Sequence, residues 1–153
     1  MQTIRCYDQE GKAVAVALSD LGFDTAVYGI LILADHVLLQ RDRQTQLWHL
    51  PGDRLGKGEI PQNLLEDCFN HLLKKTYTVG ALVKVEDRYV IDQHCKAWHL
   101  ATLYYRLERP LTPYDALPAP QHPHFAWMPL DTLNRKKMAF GYTAVATALN
   151  LNS

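Results

Sequence analysis

The stretch from Leu50 to Glu59 constrains this chain more than any other. Pro51, Gly52, Gly56 and Gly58 fall within eight positions, and a backbone so rich in these residues takes loop conformations that residues with a Cβ avoid. Pro61 follows Glu59 by two, where proline suits the first turn of a helix. Leu64, Leu65, Cys68, Phe69, Leu72 and Leu73 then recur at helical spacing, giving one broad apolar stripe. Lys74 and Lys75 stand where cations complement the C-terminal end of the helix dipole. A glycine-rich loop therefore feeds straight into an amphipathic helix, and the rest of the chain must pack around that unit.

What surrounds it reads mainly as strands. Thr3 to Tyr7 and Ala13 to Leu18 form two strands around the turn Asp8-Gln9-Glu10-Gly11-Lys12. Val27 to Leu33 is aliphatic and suits a buried strand, and Asp35-His36 turns it into a second strand at Val37 to Arg41, making a hairpin. Beyond the helix, strands are predicted at Thr78 to Val85, Arg88 to Ile91 and Trp98 to Leu107. In the last, His99, Ala101, Leu103 and Tyr105 share one face, and Trp98, Leu100, Thr102 and Tyr104 the other. Arg109 to Pro123 holds Pro110, Pro113, Pro118, Pro120 and Pro123, so it is an irregular connection. Phe125 to Met128 reads as a short strand, Pro129 and Asp131 begin a turn or helix, and Thr143 to Leu149 reads as a closing helix. No internal repeat is present, which sets repeat arrays aside. Strands around one central and one terminal helix make an α+β domain.

Length and charge narrow the function classes. The 153 residues fit one domain, and a chain of that size buries roughly two thirds of its unfolded surface. Sixteen Lys and Arg balance sixteen Asp and Glu, which argues against an extended footprint for nucleic acid or an anionic membrane. The longest apolar run, Ala26 to Ala34, is too short to span a bilayer. Cys6, Cys68 and Cys95 make neither a C-x-x-C pair nor a disulfide framework. The first residues lack the basic stretch and apolar run of a secretory leader, so a soluble, reducing, cytoplasmic setting is expected. His94, His99, His122 and His124 show no spacing that suits zinc.

The run Trp48-His49-Leu50-Pro51-Gly52, reached from a buried hairpin and followed by the loop to Gly58-Glu59 and the helix, resembles the Nudix hydrolase family. Asp8 to Gly11 is similar to the family's N-terminal hairpin, and Phe125-Ala126-Trp127-Met128-Pro129-Leu130 with Leu133 to its late tryptophan strand and following helix. The resemblance covers most of the chain. It implies an α/β/α sandwich around a mixed β-sheet, and hydrolysis of a diphosphate bond in a nucleoside-diphosphate-linked substrate with Mg2+ or Mn2+.

The family signature is G-x5-E-x7-R-E-U-x-E-E-x-G-U, with U aliphatic. Aligned without gaps on Gly58-Glu59, it places its first glycine at Asp53, one residue after Gly52, and its first glutamate at Glu59. Pro61, Leu64, Leu65 and Phe69 fall where proline or apolar residues are usual. The arginine is replaced by Asp67, the next glutamate by Cys68, the glutamate pair by His71 and Leu72, and the closing glycine by Lys74. Magnesium takes hard oxygen ligands in near-octahedral geometry, and glutamates at i, i+3 and i+4 put three carboxylates on one helix face. A thiol and an imidazole suit softer metals, and leucine ligates nothing. Hydrolysis is therefore expected to be weak, altered or lost.

The resemblance implies a candidate catalytic carboxylate at Glu59, and the polar groups that remain on the helix add Glu66 and Asp67 as candidates. Glu59, Asp67 and His71 are the candidate metal ligands, Asp67 and His71 lying four apart on one helix face with Asn70 as a further oxygen donor. Against this stand a helix cap for Glu59 and a solvated face for the others. Candidate substrate-binding residues are Arg41, Arg43 and Arg54 toward phosphates, Gly52 and Gly58 in the loop, and Trp48 and Tyr104 as stacking surfaces for a base. Trp98 and Trp127 join that aromatic set, with ordinary core packing as the alternative. Cys68 reads as a small buried hydrophobe rather than a nucleophile. Three functions follow: a hydrolase, a non-catalytic module for a small nucleotide-like ligand, or a homodimer packing the helix face around Cys68 and Leu72.

Overall fold

The glycine loop and its helix stand where the sequence puts them. In the computed structural model, which describes residues 2–108 and 117–150, helix α1 spans Pro61–Leu73. Pro61 occupies its first turn, and Lys74 ends it in the left-handed conformation (φ 57°) with its N–H on the Asn70 carbonyl. The Asn70 side chain then accepts the Tyr77 N–H at 2.6 Å, which fixes the exit. The part of the proline-rich connection that holds Pro110 and Pro113 lies outside the described residues.

Ten strands surround α1 among the described residues: β1 (Thr3–Tyr7), β2 (Ala13–Ala17), β3 (Gly22–Ile30), β4 (Ile32–Leu33), β5 (His36–Arg41), β6 (Trp48–His49), β7 (Gly52–Arg54), β8 (Thr78–Ile91), β9 (Ala97–Glu108) and β10 (Phe125–Pro129). Helix α2 (Tyr142–Asn150) follows. Six strands form a mixed sheet in the order β2-β1-β8-β9-β3-β7, in which β1 and β8, and β3 and β9, run parallel. A second sheet has the order β10-β5-β4, with β6 also on β5.

The long strand β3 organises the core by alternation. Ala26, Tyr28 and Ile30 point to one cluster with Ala144, Val145 and Ala148 of α2. Val27, with Leu31 just beyond the strand, points to the other, with Leu65, Phe69, Leu72 and Leu73 of α1. A strand buried on both faces reads as a continuous apolar run, which is why Val27 to Leu33 stood out in the sequence. Two helices thus flank a mixed sheet in an α/β/α arrangement. No described helix is long and apolar enough to cross a membrane.

Several boundaries differ from the sequence reading. The strand expected at Val27 starts at Gly22, because Phe23, Asp24 and Thr25 pair with β9 although one face there is exposed or polar. It breaks before Ile32, and the turn to β5 uses Ala34 and Asp35 at φ 46° and 59°, the geometry that two-residue hairpins favour. The loop from Leu50 to Glu59 contains β7, which pairs with β3. Thr78 to Val85 and Arg88 to Ile91 are one strand with register shifts near Leu82, since Glu86 and Asp87 pair across to Thr102 and Ala101.

Candidate functional site

The glycine loop is built backward onto β3. Gly52 lies opposite Tyr28 in the β3–β7 ladder, and a Cβ there would run into the Val27 carbonyl oxygen and the Tyr28 backbone. Glycine is the residue that permits this approach. Gly58 sits at φ 80° in open space. The Glu59 carboxylate accepts the Gly56 N–H at 3.0 Å. The N-cap residue, Ile60, provides no side-chain capping bond. The Glu59 carboxylate thus closes the loop just ahead of the helix N-terminus.

The helix candidates do not come together. Glu66 accepts the Val79 N–H at 3.2 Å and ties α1 to the start of β8. Asp67 and His71 are exposed. Among the described residues, no group of three His, Cys, Asp or Glu side chains gathers where a metal ion would sit. The positions expected to carry carboxylates hold half-buried Cys68 and buried Leu72, both against the cluster of Val27, Leu31 and Leu38. Burial first, then the charge of Asp53, pushes the Cys68 thiol up, so it stays protonated and is a poor ligand. This donor set does not fit Mg2+ or Mn2+.

The basic and aromatic candidates fall in three places. On the β5–β6 hairpin, Arg41 pairs with Trp48, its guanidinium 5.4 Å from the indole, and its N–H donates to the His124 carbonyl at 2.7 Å. Arg43 is exposed beside them, and lost hydration, then the charges of Arg43 and His122, hold the His124 imidazole low. Arg54 lies elsewhere and is engaged: its Nη2 and Nε donate to Asp24 at 2.6 and 2.9 Å, and it stacks 4.1 Å from Trp98. Tyr104 is wholly buried and donates to Glu86 at 3.0 Å. Burial, then the Glu86 charge, pushes its pKa far above the tyrosine range. It offers no open ring for stacking.

A further concavity lies apart from α1. A cleft of about 940 Å³ opens between the β1–β2 turn, the Asp42–Leu47 loop, β8 and Ala139-Phe140. Tyr7, Tyr89 and Phe140 give it aromatic walls, Arg88 is its cation, and Asp8, Glu10 and Asp42 are among its carboxylates. The turn carboxylates are occupied, Asp8 by the N–H groups of Glu10 and Lys12 and Asp42 by those of Gln44 and Thr45. Arg88 lies 3.5 Å over the Phe140 ring, on whose plane His49 is stacked at 5.3 Å. None of the candidate catalytic, metal-ligating or substrate-binding residues is among the residues that line this cleft. The signal that marks Arg88 was present as Lys84, Glu86 and Arg88 at i, i+2 and i+4, three charges on one face of a strand.

No protein-family model matches the sequence, and no curated protein does. Solved structures do match by fold. The MutT protein of Methanosarcina mazei aligns over 87% of this chain and 96% of its own, at 14% identity and a TM-score of 0.60. A Nudix hydrolase from Nitrosomonas europaea aligns over 84% and 88%, at 11% identity and 0.55. An ADP-ribose pyrophosphatase from Streptococcus suis aligns over 84% and 91%, at 16% identity and 0.53. A mixed sheet with two helices is the architecture that these alignments share, and this chain has the Nudix hydrolase fold.

Proposed function

We propose that this chain is a Nudix-fold module that binds a small nucleotide-like ligand and does not hydrolyse it by magnesium chemistry. The observation that carries the reading is the packing of Cys68 and Leu72 into the apolar cluster beneath α1. A divalent ion there would face a protonated thiol and an isobutyl group, neither of which neutralises its charge. Support for ligand binding comes from the aromatic cleft with Arg88 on its wall. Carboxylates on the rim favour a ligand that enters with an uncharged portion, such as a base, since a polyphosphate would be repelled.

The test is a panel of nucleoside diphosphate and triphosphate compounds, assayed with magnesium and with manganese, beside thermal stabilisation by the same compounds. The expected outcome is no turnover above a Glu59→Gln control, with at least one compound raising the melting temperature. Turnover that disappears in Glu59→Gln would return the chain to the hydrolases, and turnover that disappears in Asp67→Ala would identify a shifted ligand set at Asp67 and His71.

A further inference from the structure

We propose that β2 is a self-association edge: two copies pair β2 to β2, antiparallel, across a two-fold axis at Ala15, which joins their six-stranded sheets. This inference is independent of what the cleft binds. It begins with the position of β2 at one end of the sheet order, paired on one side with β1. Its sequence is Ala-Val-Ala-Val-Ala, with Ala13, Val14 and Ala15 exposed.

The phase of the β1–β2 ladder decides which groups face outward. Leu18 N–H donates to the Gln2 carbonyl and Asp8 N–H to the Lys12 carbonyl. With the observed register, bonded pairs alternate along an antiparallel ladder, so Val14 and Val16 turn their backbone toward β1. Ala13, Ala15 and Ala17 turn theirs away. An edge that presents three consecutive outward residues without lysine, proline or a bulge lacks the usual protection against strand addition.

A second copy is the occupant that the sequence fits. Ala13 to Ala17 reads the same in both directions, so a two-fold axis at Ala15 sets outward residue against outward residue along the whole strand. Ala13 then pairs with Ala17 of the second copy, Ala15 with its own copy, and Ala17 with Ala13. Each is a pair of the kind that exchanges both N–H···O bonds. Between them Val14 meets Val16 of the second copy at the closest side-chain spacing of an antiparallel sheet, a favourable β-branched contact. The alanines leave no bulk in the way. Such an interface is isologous and closed. It is also small, so the dimer is concentration-dependent. A formal charge of zero gives no long-range repulsion between copies.

Two variants of the full chain test the geometry. Proline is tolerated on an edge strand where its missing N–H would face solvent, so Ala15→Pro should keep the circular dichroism spectrum while weakening association at least tenfold in sedimentation equilibrium. In a Cys95→Ser background, Ala15→Cys brings the two Cα atoms to about 5.5 Å, within disulfide range. Ala13→Cys leaves its two copies about 13 Å apart along the strand. Mild oxidation followed by peptide mapping should link the Ala15→Cys protein across the dimer and leave Ala13→Cys unlinked. A wild-type chain that stays monomeric at millimolar concentration overturns the proposal. So does association indifferent to a folded Ala15→Pro, or equal linking at both cysteine positions. Should Ala15→Pro fail to fold, the cysteine pair decides alone.

Discussion

The guanidinium of Arg88 lies 3.5 Å over the ring of Phe140, and the same ring is stacked by His49 and met edge-on by Tyr28. The contact joins the C-terminal part of β8 to the segment leading into α2 at the wall of the cleft. A cation over an aromatic face contributes up to about 2 kcal/mol when water is largely excluded. Arg88→Ala is therefore expected to lower unfolding free energy in urea by about 1–2 kcal/mol. Loss of the one arginine that lines the cleft among the described residues should also abolish thermal stabilisation by any anionic compound that stabilises the wild type.

Gly52→Ala tests the loop. A Cβ at Gly52 collides with backbone atoms of Val27 and Tyr28, which cannot move without disturbing β3 and its ladder with β9. The expected loss is about 3 kcal/mol, at the upper end for single substitutions. Gly58→Ala, which meets nothing within 4 Å and carries only the strain of its positive φ, should cost about 1 kcal/mol. Equal losses in urea denaturation would show that close approach is not what Gly52 provides.

How much of this was legible depends on the range of the interactions. The glycine loop, the α1 stripe and the β1–β2 hairpin are set by residues close in sequence, and their period or backbone chemistry shows directly. The reading failed where partners are distant. Arg54 looked free for phosphate because Asp24, which takes its charge, lies thirty residues earlier. Glu86 and Asp87 fell between two expected strands, yet both pair within β8, Glu86 held by Tyr104 and Asp87 by His99. Tyr104 looked like a stacking surface, but its alternation on β9 also fits the buried face that it occupies. The cleft went unseen because its walls come from four separate segments.

His49 gives a pH dependence. Burial lowers its pKa first, opposed by its bond to the Leu50 carbonyl and by Asp42, while Arg88 lowers it further and Asp53 opposes. The folded value therefore lies below the ordinary histidine value of about 6.5. As pH falls through about 6.5 the unfolded chain takes up the proton before the folded one does, so stability is full above that value and declines below it. His124 shifts in the same direction, so the wild-type profile alone does not isolate His49. The melting temperature should fall more steeply for wild type than for His49→Phe as pH drops from about 7 to about 5, across the range in which histidine takes up its proton. Parallel profiles would remove His49 as the cause.

Leu72→Glu addresses the helix face most directly. The signature resembled by this chain expects a glutamate at that position, and a protein with a dormant metal site would accept the residue and gain ion binding. Here Leu72 is 7% exposed and packs with Val27, Leu31 and Phe69. A carboxylate placed there loses hydration and finds apolar atoms around it, so it either stays protonated or disrupts the packing. Deleting a buried leucine side chain alone removes about 2–5 kcal/mol. Leu72→Glu is expected to lower stability by about 3 kcal/mol at pH 7, with partial recovery near pH 5 as the carboxyl takes up a proton. Added magnesium should not restore the loss. A variant that instead regains wild-type stability on adding magnesium or manganese would show that the face beneath α1 still closes around a metal ion, and the packing of Cys68 and Leu72 would then carry no weight against hydrolysis.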